Sequence, residues 1–368
     1  MPTGRTRILL LVPSFVGGAG GAERVISILL HHLDRNLFEL HVALGQGRHS
    51  HFENLPDDVY IHALQVSRMR YALPAIIKIV WKVRPKTILA TVSYLNAMLI
   101  LAKPFLPRNT KLVLREAVIP SAFITQEARH PRFWQWAYRH LYGKADRIIC
   151  LSDSMVQDFE RRFMISSEKL VRIYNPVDFA AIRELADTGT DPYSAKRPRL
   201  LATGRLQKQK GFDILLRAMP LILNELPDAN LTIVGEGPLD AELRAQVQKL
   251  GLMQEVKFTG FQPNPWLYMK HADLFVLPSR FEGLPNALLE ALALEKPAIA
   301  SDCPGGVREI QGSFPNLTLV PPDSPDALAE AVLRLCRHLN RDPIAPTKEC
   351  RSRFDLQIAV RSYTDILL

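Results

Sequence analysis

Short apolar runs rich in leucine and β-branched residues alternate along the chain with longer segments whose apolar residues recur every three or four positions. The short runs are typical of buried parallel strands, and the longer segments are typical of amphipathic helices. In the first half, strands are predicted at Ile8–Val12, Leu40–Leu44, Thr87–Val92, Leu112–Leu114 and Arg147–Leu151. In the second half, they are predicted at Leu200–Thr203, Leu231–Val234, Val256–Phe258, Leu274–Leu277, Ala298–Ser301 and Leu317–Val320. The alternation predicts an α/β fold with two doubly wound parallel sheets.

The two series of strands are separated by a stretch without hydrophobic periodicity, from Asn175 to Pro192. Turn formers and small polar residues are crowded there, which is typical of a linker. We therefore predict one domain over residues 1–178 and a second over residues 179–353. Because open parallel sheets bind ligands at the carboxyl ends of their strands, we expect the ligand in the cleft between the domains.

The composition is that of a folded globular chain. Of the 368 residues, 47% are hydrophobic and 23% are charged, which excludes collagen-like and intrinsically disordered classes. The four cysteines, Cys150, Cys303, Cys336 and Cys350, have neither Cys-x-x-Cys spacing nor the density of a disulfide framework. A reducing compartment fits this usage best.

Charge is distributed unevenly between the two halves. The first 184 residues carry 25 Lys and Arg against 15 Asp and Glu, and the remainder carries 21 against 22. The basic first half favours an anionic surface or partner, whereas the balanced second half favours a small ligand held by specific contacts. A merely solvated basic surface is the alternative.

The N-terminal segment has the basic and apolar parts of a signal peptide, because Arg5 and Arg7 precede the run Ile8–Val12. Pro13 interrupts that run, and a glycine-rich turn and a helical pattern follow, so a buried first strand is the better interpretation. The longest apolar stretch, Ile88–Ala102, contains polar residues and is shorter than the roughly 20 residues that span a bilayer. We expect no transmembrane helix.

Two segments combine basic and aromatic residues. Ala75–Arg84 places lysines and Trp81 among aliphatic residues, which suits an anionic membrane interface as well as an ordinary amphipathic surface helix. Trp134 and Trp136 lie among arginines and could contact a membrane or a lipid, or be buried against the sheet. The sequence leaves these alternatives open.

A glycine-rich turn, Val16–Arg24, directly follows the first predicted strand and opens a helix. Glycines there allow backbone N–H groups to approach an anion at the helix N-terminus. No Gly-Lys-Ser/Thr sequence follows, so a P-loop is excluded. An NAD-dependent dehydrogenase is disfavoured, because the second strand ends in Val42-Ala-Leu-Gly-Gln46 without the acidic residue that binds the ribose.

A second cluster follows the strand Leu200–Thr203. The sequence continues with Gly204 and Arg205, and Lys210 stands in the same short polar loop before a helix. Two cations at the carboxyl end of a strand predict a phosphate site. A flexible exposed basic loop is the alternative interpretation.

A third cluster extends from Pro278 through a short loop into a helix. Pro285 has no N–H and suits the first helical position, so Glu282 is predicted just before the helix. Glu290 is predicted within the helix among leucines and alanines, where a carboxylate needs partners such as ligand hydroxyls. The alternative for Glu290 is a capped or exposed helix residue.

Taken together, the motifs resemble those of the family 4 retaining glycosyltransferases, whose GT-B fold has two Rossmann-like domains facing each other across a cleft. The resemblance covers essentially the whole chain. Its motifs are Gly20-Gly-Ala-Glu-Arg24, Gly204-Arg-Leu, Lys210-Gly211, Val234-Gly-Glu-Gly-Pro238 and the E-x(7)-E pair Glu282 and Glu290. It implies that residues 1–178 bind the acceptor and residues 179–353 bind the nucleotide sugar, with a final helix of about residues 354–368 packing back on the first domain.

The resemblance also implies a donor site. Arg205 and Lys210 would hold the donor diphosphate and neutralise it as it leaves, and Glu282 would contact the transferred sugar, so these three are the expected catalytic residues. Glu290 would bind the ribose hydroxyls, and the amides of Gly283 and Leu284 would meet a phosphate oxygen. The other donor-binding residues expected are Gly18, Gly20, Gly21, Gly204, Gly237 and Phe261.

No Asp-x-Asp sequence stands at the end of a predicted strand. The leaving charge would therefore be stabilised by cations and a helix dipole rather than by magnesium, and we expect neither a metal ion nor another cofactor. The resemblance implies front-face displacement, in which an oxygen of the donor phosphate takes the acceptor proton. No protein nucleophile is then required.

One departure from the family pattern concerns the acceptor domain. Many relatives carry a histidine after a strand whose counterpart here is followed by Arg115 and Glu116. Either side chain could contact hydroxyls of the acceptor sugar, or the two could form an ion pair at the strand end.

We therefore predict a retaining glycosyltransferase that uses a nucleoside-diphosphate donor, a UDP-hexose or UDP-N-acetylhexosamine, and a polysaccharide, lipid-linked oligosaccharide or other envelope glycan acceptor. The expected partners are the nucleotide sugar, a glycan or polyprenyl-linked acceptor and an anionic membrane surface, but no nucleic acid. The expected location is the cytoplasm, on the inner face of the cytoplasmic membrane. The alternatives are a GT-B nucleotide-sugar epimerase, which needs no acceptor, and a non-enzymatic basic protein that binds membranes or nucleic acid.

Overall fold

The computed structural model describes residues 4–12, 21–44, 55–64, 66, 71–193, 196–337 and 348–368, the side chains of residues 348–350 excepted. The chain forms two compact units. Unit 1 comprises Met1–Pro176 and Leu356–Leu368, and unit 2 comprises Val177–Asp355.

Unit 1 is built on a parallel seven-stranded sheet in the order β3-β2-β1-β4-β5-β6-β7. Its strands are β1 Thr6–Val12, β2 Phe38–Leu44, β3 Tyr60–Ala63, β4 Thr87–Ala90, β5 Lys111–Arg115, β6 Arg147–Cys150 and β7 Leu170–Arg172. The helices described before Pro176 are α1 Gly21–His32, α2 Leu73–Val83, α3 Ser93–Ala102, α4 Pro120–Gln126, α5 Pro131–His140 and α6 Asp153–Phe163. A strand order that runs outwards in both directions from β1 defines a doubly wound sheet.

The central strand of unit 1 explains the strongest apolar signal in the sequence. Ile8 to Val12 are all buried, and the register places Ile8 beside Leu40 of β2 and Thr87 of β4. Continuous apolar runs arise where helices cover both faces of a parallel sheet. The run therefore reflects the central position of β1.

Unit 2 contains a parallel six-stranded sheet in the order β10-β9-β8-β11-β12-β13. Its strands are β8 Arg199–Thr203, β9 Asn230–Val234, β10 Val256–Phe258, β11 Leu274–Leu277, β12 Ala298–Ser301 and β13 Leu317–Val320. Its described helices are α7 Phe179–Ala186, α8 Phe212–Glu225, α9 Asp240–Lys249, α10 Pro265–His271, α11 Asn286–Ala293, α12 Val307–Gln311, α13 Pro325–Cys336 and α14 Lys348–Arg353. A single apolar core joins the strands to the buried faces of α8 and α13, including Leu215, Leu231, Leu274 and Val332.

The helix α15, Leu356–Leu367, belongs to unit 1 although it follows unit 2 in the sequence. Its Tyr363 is fully buried, and the Tyr363 hydroxyl accepts a hydrogen bond from Arg115 Nε at 3.0 Å. The Thr87 hydroxyl donates to the Leu367 carbonyl at 2.9 Å. This helix therefore packs against β4 and β5.

The structure confirms the predicted two-sheet α/β class and adds two strands that the hydrophobic pattern did not reveal. β3 and β7 form the two edges of the unit 1 sheet. Their residues are mostly exposed or half-buried, so neither segment has the apolar run by which the other strands were predicted.

Within the described ranges, no helix is both long enough and apolar enough to cross a lipid bilayer.

Candidate functional site

The loop between β8 and α8 carries the two predicted cations at the carboxyl edge of the unit 2 sheet. Gly204 follows β8 with φ at 151°, a conformation that favours glycine. Arg205 is exposed. A 3-10 turn, Lys208–Lys210, brings the Lys210 side chain to the end of the strand. A Cβ at Gly204 would lie 3.5 Å from that side chain.

The glycine that ends this loop permits a close approach between two neighbouring strand ends. Gly211 has φ at 63°, and a Cβ there would lie 2.0 Å from the Pro278 carbonyl oxygen. Pro278 directly follows β11, the strand beside β8. Any larger residue at position 211 would force the two loops apart.

Glu282 is held in this position by two hydrogen bonds. Its Oε1 accepts from Lys210 Nζ at 2.7 Å and from the Ser279 hydroxyl at 2.6 Å. The Glu282 side chain is 5% exposed, whereas that of Lys210 is 19% exposed. An ammonium group has three N–H donors, so Lys210 can bind an anion while it stays paired with Glu282.

Two further side chains join the loop of Lys210 to the loop of Glu282. Gln209 is buried, and its Nε2 donates to the Phe281 carbonyl at 2.8 Å. The Arg280 backbone N–H donates to the Gln209 carbonyl at 2.8 Å, and Arg280 Nη1 donates to the Lys208 carbonyl at the same distance. The two loops therefore form one hydrogen-bonded structure.

Arg280 is fixed in turn by two carboxylates. Its guanidinium group makes a bidentate pair with Asp213 of α8, with both bonds at 2.8 Å, and its Nε donates to Asp323 at 2.8 Å. Burial opposes ionisation of Asp213, but the bonds from Arg280 hold the pKa of that carboxyl below its ordinary value. The same pairing raises the pKa of Arg280. The pair is thus charged, and it connects α8 to the loop after β11.

The loop after β12 packs directly on the Glu282 backbone. The Glu282 N–H donates to the Pro304 carbonyl at 2.9 Å, and the Gly306 N–H donates to the Gly283 carbonyl at 2.9 Å. Gly305 has φ at 129°, and a Cβ there would lie 2.0 Å from the Glu282 carbonyl oxygen. Three loops at the ends of β8, β11 and β12 therefore position Glu282.

Helix α11 begins at Asn286, one residue later than the sequence analysis predicted. Pro285 has φ at −76° and ψ at 104°, so it precedes the helix instead of occupying its first turn. Gly283 and Leu284 are buried between Glu282 and the helix. Glu290 is 5% exposed, which excludes the exposed-helix alternative for that carboxylate.

The loops after β9 and β10 complete this edge of the sheet. A Cβ at Gly235 would lie 2.0 Å from the Gly204 carbonyl oxygen, and one at Gly237 would lie 2.4 Å from the Leu206 carbonyl oxygen. Phe261 is half-buried, and its N–H donates to Glu236 Oε1 at 3.2 Å. The structure thus brings Gly237 and Phe261 to the loop of Gly204 and Arg205.

Several side chains in this cluster were not identified from the sequence. Ser279 and Gln209 have no motif of their own. Gln209 acts through Phe281, which is close only in the fold, whereas Ser279 acts through Glu282, which is close in the sequence as well. Cys303 is buried beside the ion pair, and burial raises the pKa of its thiol, with a further contribution from the Glu282 charge. The spacing of Ser279 three residues before Glu282 is the only signal the sequence offered.

The expected glycine contribution from unit 1 falls largely outside the described residues. Gly18 and Gly20 both lie in the undescribed range 13–20, so their predicted donor contacts stay predictions. Gly21 is the first residue of α1. The donor roles expected of the other residues likewise stay predictions.

Glu116, at the carboxyl end of β5, is fully buried inside unit 1. It accepts hydrogen bonds from the Ser93 hydroxyl at 2.8 Å, from Asn96 Nδ2 at 2.7 Å, from the Tyr138 hydroxyl at 3.4 Å and from the Tyr142 hydroxyl. Burial raises the pKa of the Glu116 carboxyl, although these hydrogen bonds oppose the shift. The carboxyl therefore connects β5 to α3 and α5.

Arg115 is buried on the other side of the strand end, and it does not pair with Glu116. Its Nη2 donates to Asn175 Oδ1 at 2.6 Å, and its Nε contacts Tyr363 of α15. The alternative of a strand-end ion pair between Arg115 and Glu116 is therefore excluded, because the two side chains have separate partners. Acceptor contact by Arg115 or Glu116 stays a prediction, which this buried placement does not support.

In the part of the chain that the structure describes, no group of three or more His, Cys, Asp or Glu side chains could hold a metal ion. The expectation that the reaction needs no metal stays a prediction.

Comparison with known families identifies the class of this protein. Residues 19–181 match the model described as Glycosyltransferase Family 4, and residues 197–338 match the model described as Glycosyl transferases group 1. The two matches together cover every described strand of both sheets except β1. The chain therefore belongs to the family 4, group 1 glycosyltransferases, and it is a glycosyltransferase.

Individual relatives agree with this assignment. The chain is 29% identical to the N-acetylgalactosamine-N,N'-diacetylbacillosaminyl-diphospho-undecaprenol 4-alpha-N-acetylgalactosaminyltransferase of Campylobacter jejuni, over 86% of each protein. It is 30% identical to an uncharacterised glycosyltransferase of Methanocaldococcus jannaschii, over 64% of this chain and 60% of that protein.

Solved structures confirm the GT-B fold. Anabaena HepE, crystallised with UDP and glucose, superposes with a TM-score of 0.76 at 21% identity, covering 99% of both chains. The lipopolysaccharide glycosyltransferase WaaG superposes with a TM-score of 0.72 at 18% identity, covering 98% of this chain and 95% of that one.

Proposed function

We propose that this glycosyltransferase takes its sugar from a nucleoside-diphosphate donor bound by unit 2. The observation that carries the proposal is the pairing of Lys210 with Glu282 at the carboxyl edge of the sheet, with Arg205 exposed in the same loop. Arg205 and Lys210 would hold the diphosphate, and Glu282 would contact the transferred sugar. Glu290 would bind the ribose hydroxyls, and the amides of Gly283 and Leu284 would meet a phosphate oxygen.

We propose a metal-independent reaction that retains the anomeric configuration. The charge that develops on the leaving diphosphate would be stabilised by Arg205, Lys210 and the N-terminal dipole of α11. The acceptor oxygen would bond to the anomeric carbon on the same face from which the diphosphate leaves. An oxygen of the donor phosphate would take the proton of the acceptor hydroxyl. The α linkage named for the Campylobacter relative supports retention, because common UDP-hexose donors are α-linked.

The donor that the comparisons favour is a UDP-hexose or a UDP-N-acetylhexosamine. HepE was crystallised with UDP, and the Campylobacter relative is named as an N-acetylgalactosaminyltransferase. The proposed acceptor is a polysaccharide, lipid-linked oligosaccharide or other envelope glycan bound by unit 1. The names of relatives that act on a diphospho-undecaprenol substrate and in amylovoran biosynthesis support this class.

We further propose that the protein acts on the cytoplasmic side of the membrane and that its basic first half meets an anionic lipid surface. Nucleotide sugars carry a diphosphate that a bilayer excludes, so the enzyme must meet donor and lipid-linked acceptor on one side. The excess of lysine and arginine in the first 184 residues supports this arrangement.

The first experiment measures thermal stabilisation of the protein by UDP, GDP and ADP in the presence of EDTA. NAD and a short DNA are tested separately in the same way. Saturable stabilisation by one nucleoside diphosphate would support the proposal and identify the base. Stabilisation by NAD or DNA alone would contradict it. With the matching UDP-sugar, release of UDP that depends on an added glycan acceptor would exclude the epimerase alternative.

A further inference from the structure

Helix α5 presents an unusual exposed surface on unit 1. Arg132, Phe133, Trp136, Arg139 and His140 are all exposed, and the two large aromatic side chains are 47% and 49% exposed. We call these five residues the α5 face. The helix contains no acidic residue.

The α5 face mixes cations and aromatic rings along a continuous stripe. Arg132, Trp136 and Arg139 follow the spacing of one helix face, and Phe133 lies beside Trp136 with ring centroids 6.4 Å apart. His140 extends the stripe, with its ring 6.0 Å from that of Trp136. Aromatic rings flanked by arginines are the composition of surfaces that lie in the headgroup region of anionic bilayers.

The opposite side of α5 is rigidly anchored. Trp134 is half-buried and packs edge-on against Phe123 at 5.4 Å. Tyr138 is fully buried and donates to Glu116. The exposed aromatics therefore belong to a firmly packed helix.

Anchoring through Glu116 also places α5 at a particular edge of the sheet. Glu116 directly follows β5, so its bond from Tyr138 attaches α5 to the carboxyl end of that strand, where doubly wound sheets bind ligands. Helix α2, the other basic aromatic segment, ends at Val83 shortly before β4 begins at Thr87. Its Trp81 therefore lies near the amino edge, and the Trp81 indole N–H donates to the Phe105 carbonyl at 2.9 Å.

We propose that the α5 face is the surface by which this protein docks on an anionic lipid bilayer. Arg132 and Arg139 meet lipid phosphates, and Phe133 and Trp136 insert among the headgroups. This docking brings the carboxyl edge of the unit 1 sheet next to the lipid surface. The inference deepens the membrane partner of the proposed function and rests on that part of it.

The test measures binding of the full-length protein to vesicles of equal parts phosphatidylglycerol and phosphatidylcholine by co-sedimentation. A variant with Arg132→Gln and Arg139→Gln should bind roughly 25-fold more weakly, because each cation near an anionic surface contributes roughly a fivefold gain. The matched control is Lys78→Gln with Lys82→Gln, which removes two exposed charges from α2 and should bind like the parent protein.

A second measurement does not depend on charge. Brominated lipids should quench the tryptophan fluorescence of the parent protein, and Trp136→Phe should abolish most of that quenching, whereas Trp81→Phe should leave it intact. Circular dichroism checks that each variant is folded.

Three outcomes would overturn the inference. Loss of binding in the α2 variant with normal binding in the α5 variant would move docking to α2 while leaving the proposed membrane partner in place. Failure of the parent protein to bind anionic vesicles would contradict both docking through the α5 face and the proposed membrane partner. Weakened binding of the α5 variant to a random oligonucleotide, with unchanged vesicle binding, would make the face a nucleic-acid surface. Glycosyltransferase activity on a short soluble acceptor is measured separately, so the fate of the enzymatic proposal stays distinguishable.

Discussion

At the scale of single residues, Lys210 is the side chain with two possible partners. It is paired with Glu282 and has N–H donors left for an anion. Lys210→Gln keeps a donor for Glu282 but removes the charge, so turnover should fall about 10²–10³-fold, as for other lost transition-state stabilisers. Steady-state kinetics would measure this effect.

The control for this prediction is Lys208→Gln, which removes an exposed charge from the same 3-10 turn and should leave turnover unchanged. Arg205→Ala should resemble Lys210→Gln in turnover without a change in thermal midpoint, because Arg205 is exposed. Normal turnover in both Arg205→Ala and Lys210→Gln would remove the proposed diphosphate site.

Glu290 offers a test of donor binding that is separate from turnover. A buried carboxylate that accepts from ligand hydroxyls contributes a charged hydrogen bond, so Glu290→Gln should weaken nucleotide binding by roughly tenfold. Isothermal calorimetry with UDP measures the change, and the exposed Glu330→Gln serves as the control. Equal affinities in all three proteins would leave Glu290 with a purely structural role.

The buried Glu116 carboxyl predicts a pH dependence of stability. Because burial raises its folded-state pKa above the ordinary 4.5, the folded protein holds the proton more tightly than the unfolded chain. The resulting stabilisation is complete below pH 4.5, the ordinary pKa of the carboxyl. It is lost as the pH rises through the pKa of Glu116 in the folded protein. The unfolding free energy of the parent protein relative to Glu116→Gln should therefore fall as the pH rises. A constant difference in denaturant unfolding across the pH range would show that the carboxyl does not titrate in this way.

At the scale of elements, Arg280 holds the loop after β8 and the loop after β11 together. Arg280→Met would remove the bonds to Asp213, Asp323 and the Lys208 carbonyl, and the Lys210–Glu282 geometry would loosen. We expect kcat to fall by roughly 10- to 100-fold with a smaller change in KM, with partial recovery in Arg280→Lys.

The matched control for Arg280 is Arg217→Met. Arg217 contacts the same carboxylate, Asp213, but at 3.5 Å and from an exposed position on α8. This variant should keep normal kinetics, since exposed pairs contribute little. Equal kcat losses in the two variants would show that kcat depends on the contacts of Asp213 and not on the joining of the two loops.

The sequence predicted those elements and site residues whose signal is local. Central strands such as β11 were predicted at their observed ends, because burial on both faces imposes a continuous apolar run. The edge strands β3 and β7 were missed since they lack such a run. Glu282 was found through its loop and helix, whereas Gln209 acts on Phe281, 72 residues away, and no local pattern reports such a contact.

At the scale of the whole molecule, unit 1 depends on a helix from beyond unit 2. Removal of α15 would expose the pocket of Tyr363 and leave Arg115 without its Nε partner. Each large buried side chain contributes about 1.5–3 kcal/mol, so losing α15 would cancel much of a typical stability of about 5–15 kcal/mol.

We therefore expect truncation after Asp355 to unfold unit 1 while unit 2 stays compact. Limited proteolysis should cleave the first 176 residues rapidly and leave residues 177–355 protected. Deletion of Leu368 alone, which is 42% exposed, should behave like the parent protein. Protection of both units after truncation would show that unit 1 holds without α15.

The same helix imposes an order on biosynthesis. All seven strands of the first sheet leave the ribosome before unit 2, yet α15 is translated after it. At roughly 5–20 residues per second, the nascent first sheet waits on the order of ten to forty seconds with the apolar site for α15 uncovered. Unit 2 has all its strands and helices once Asp355 has emerged, so the part of the chain made first is the part completed last. A chaperone that shields this protein during translation would find its binding site there.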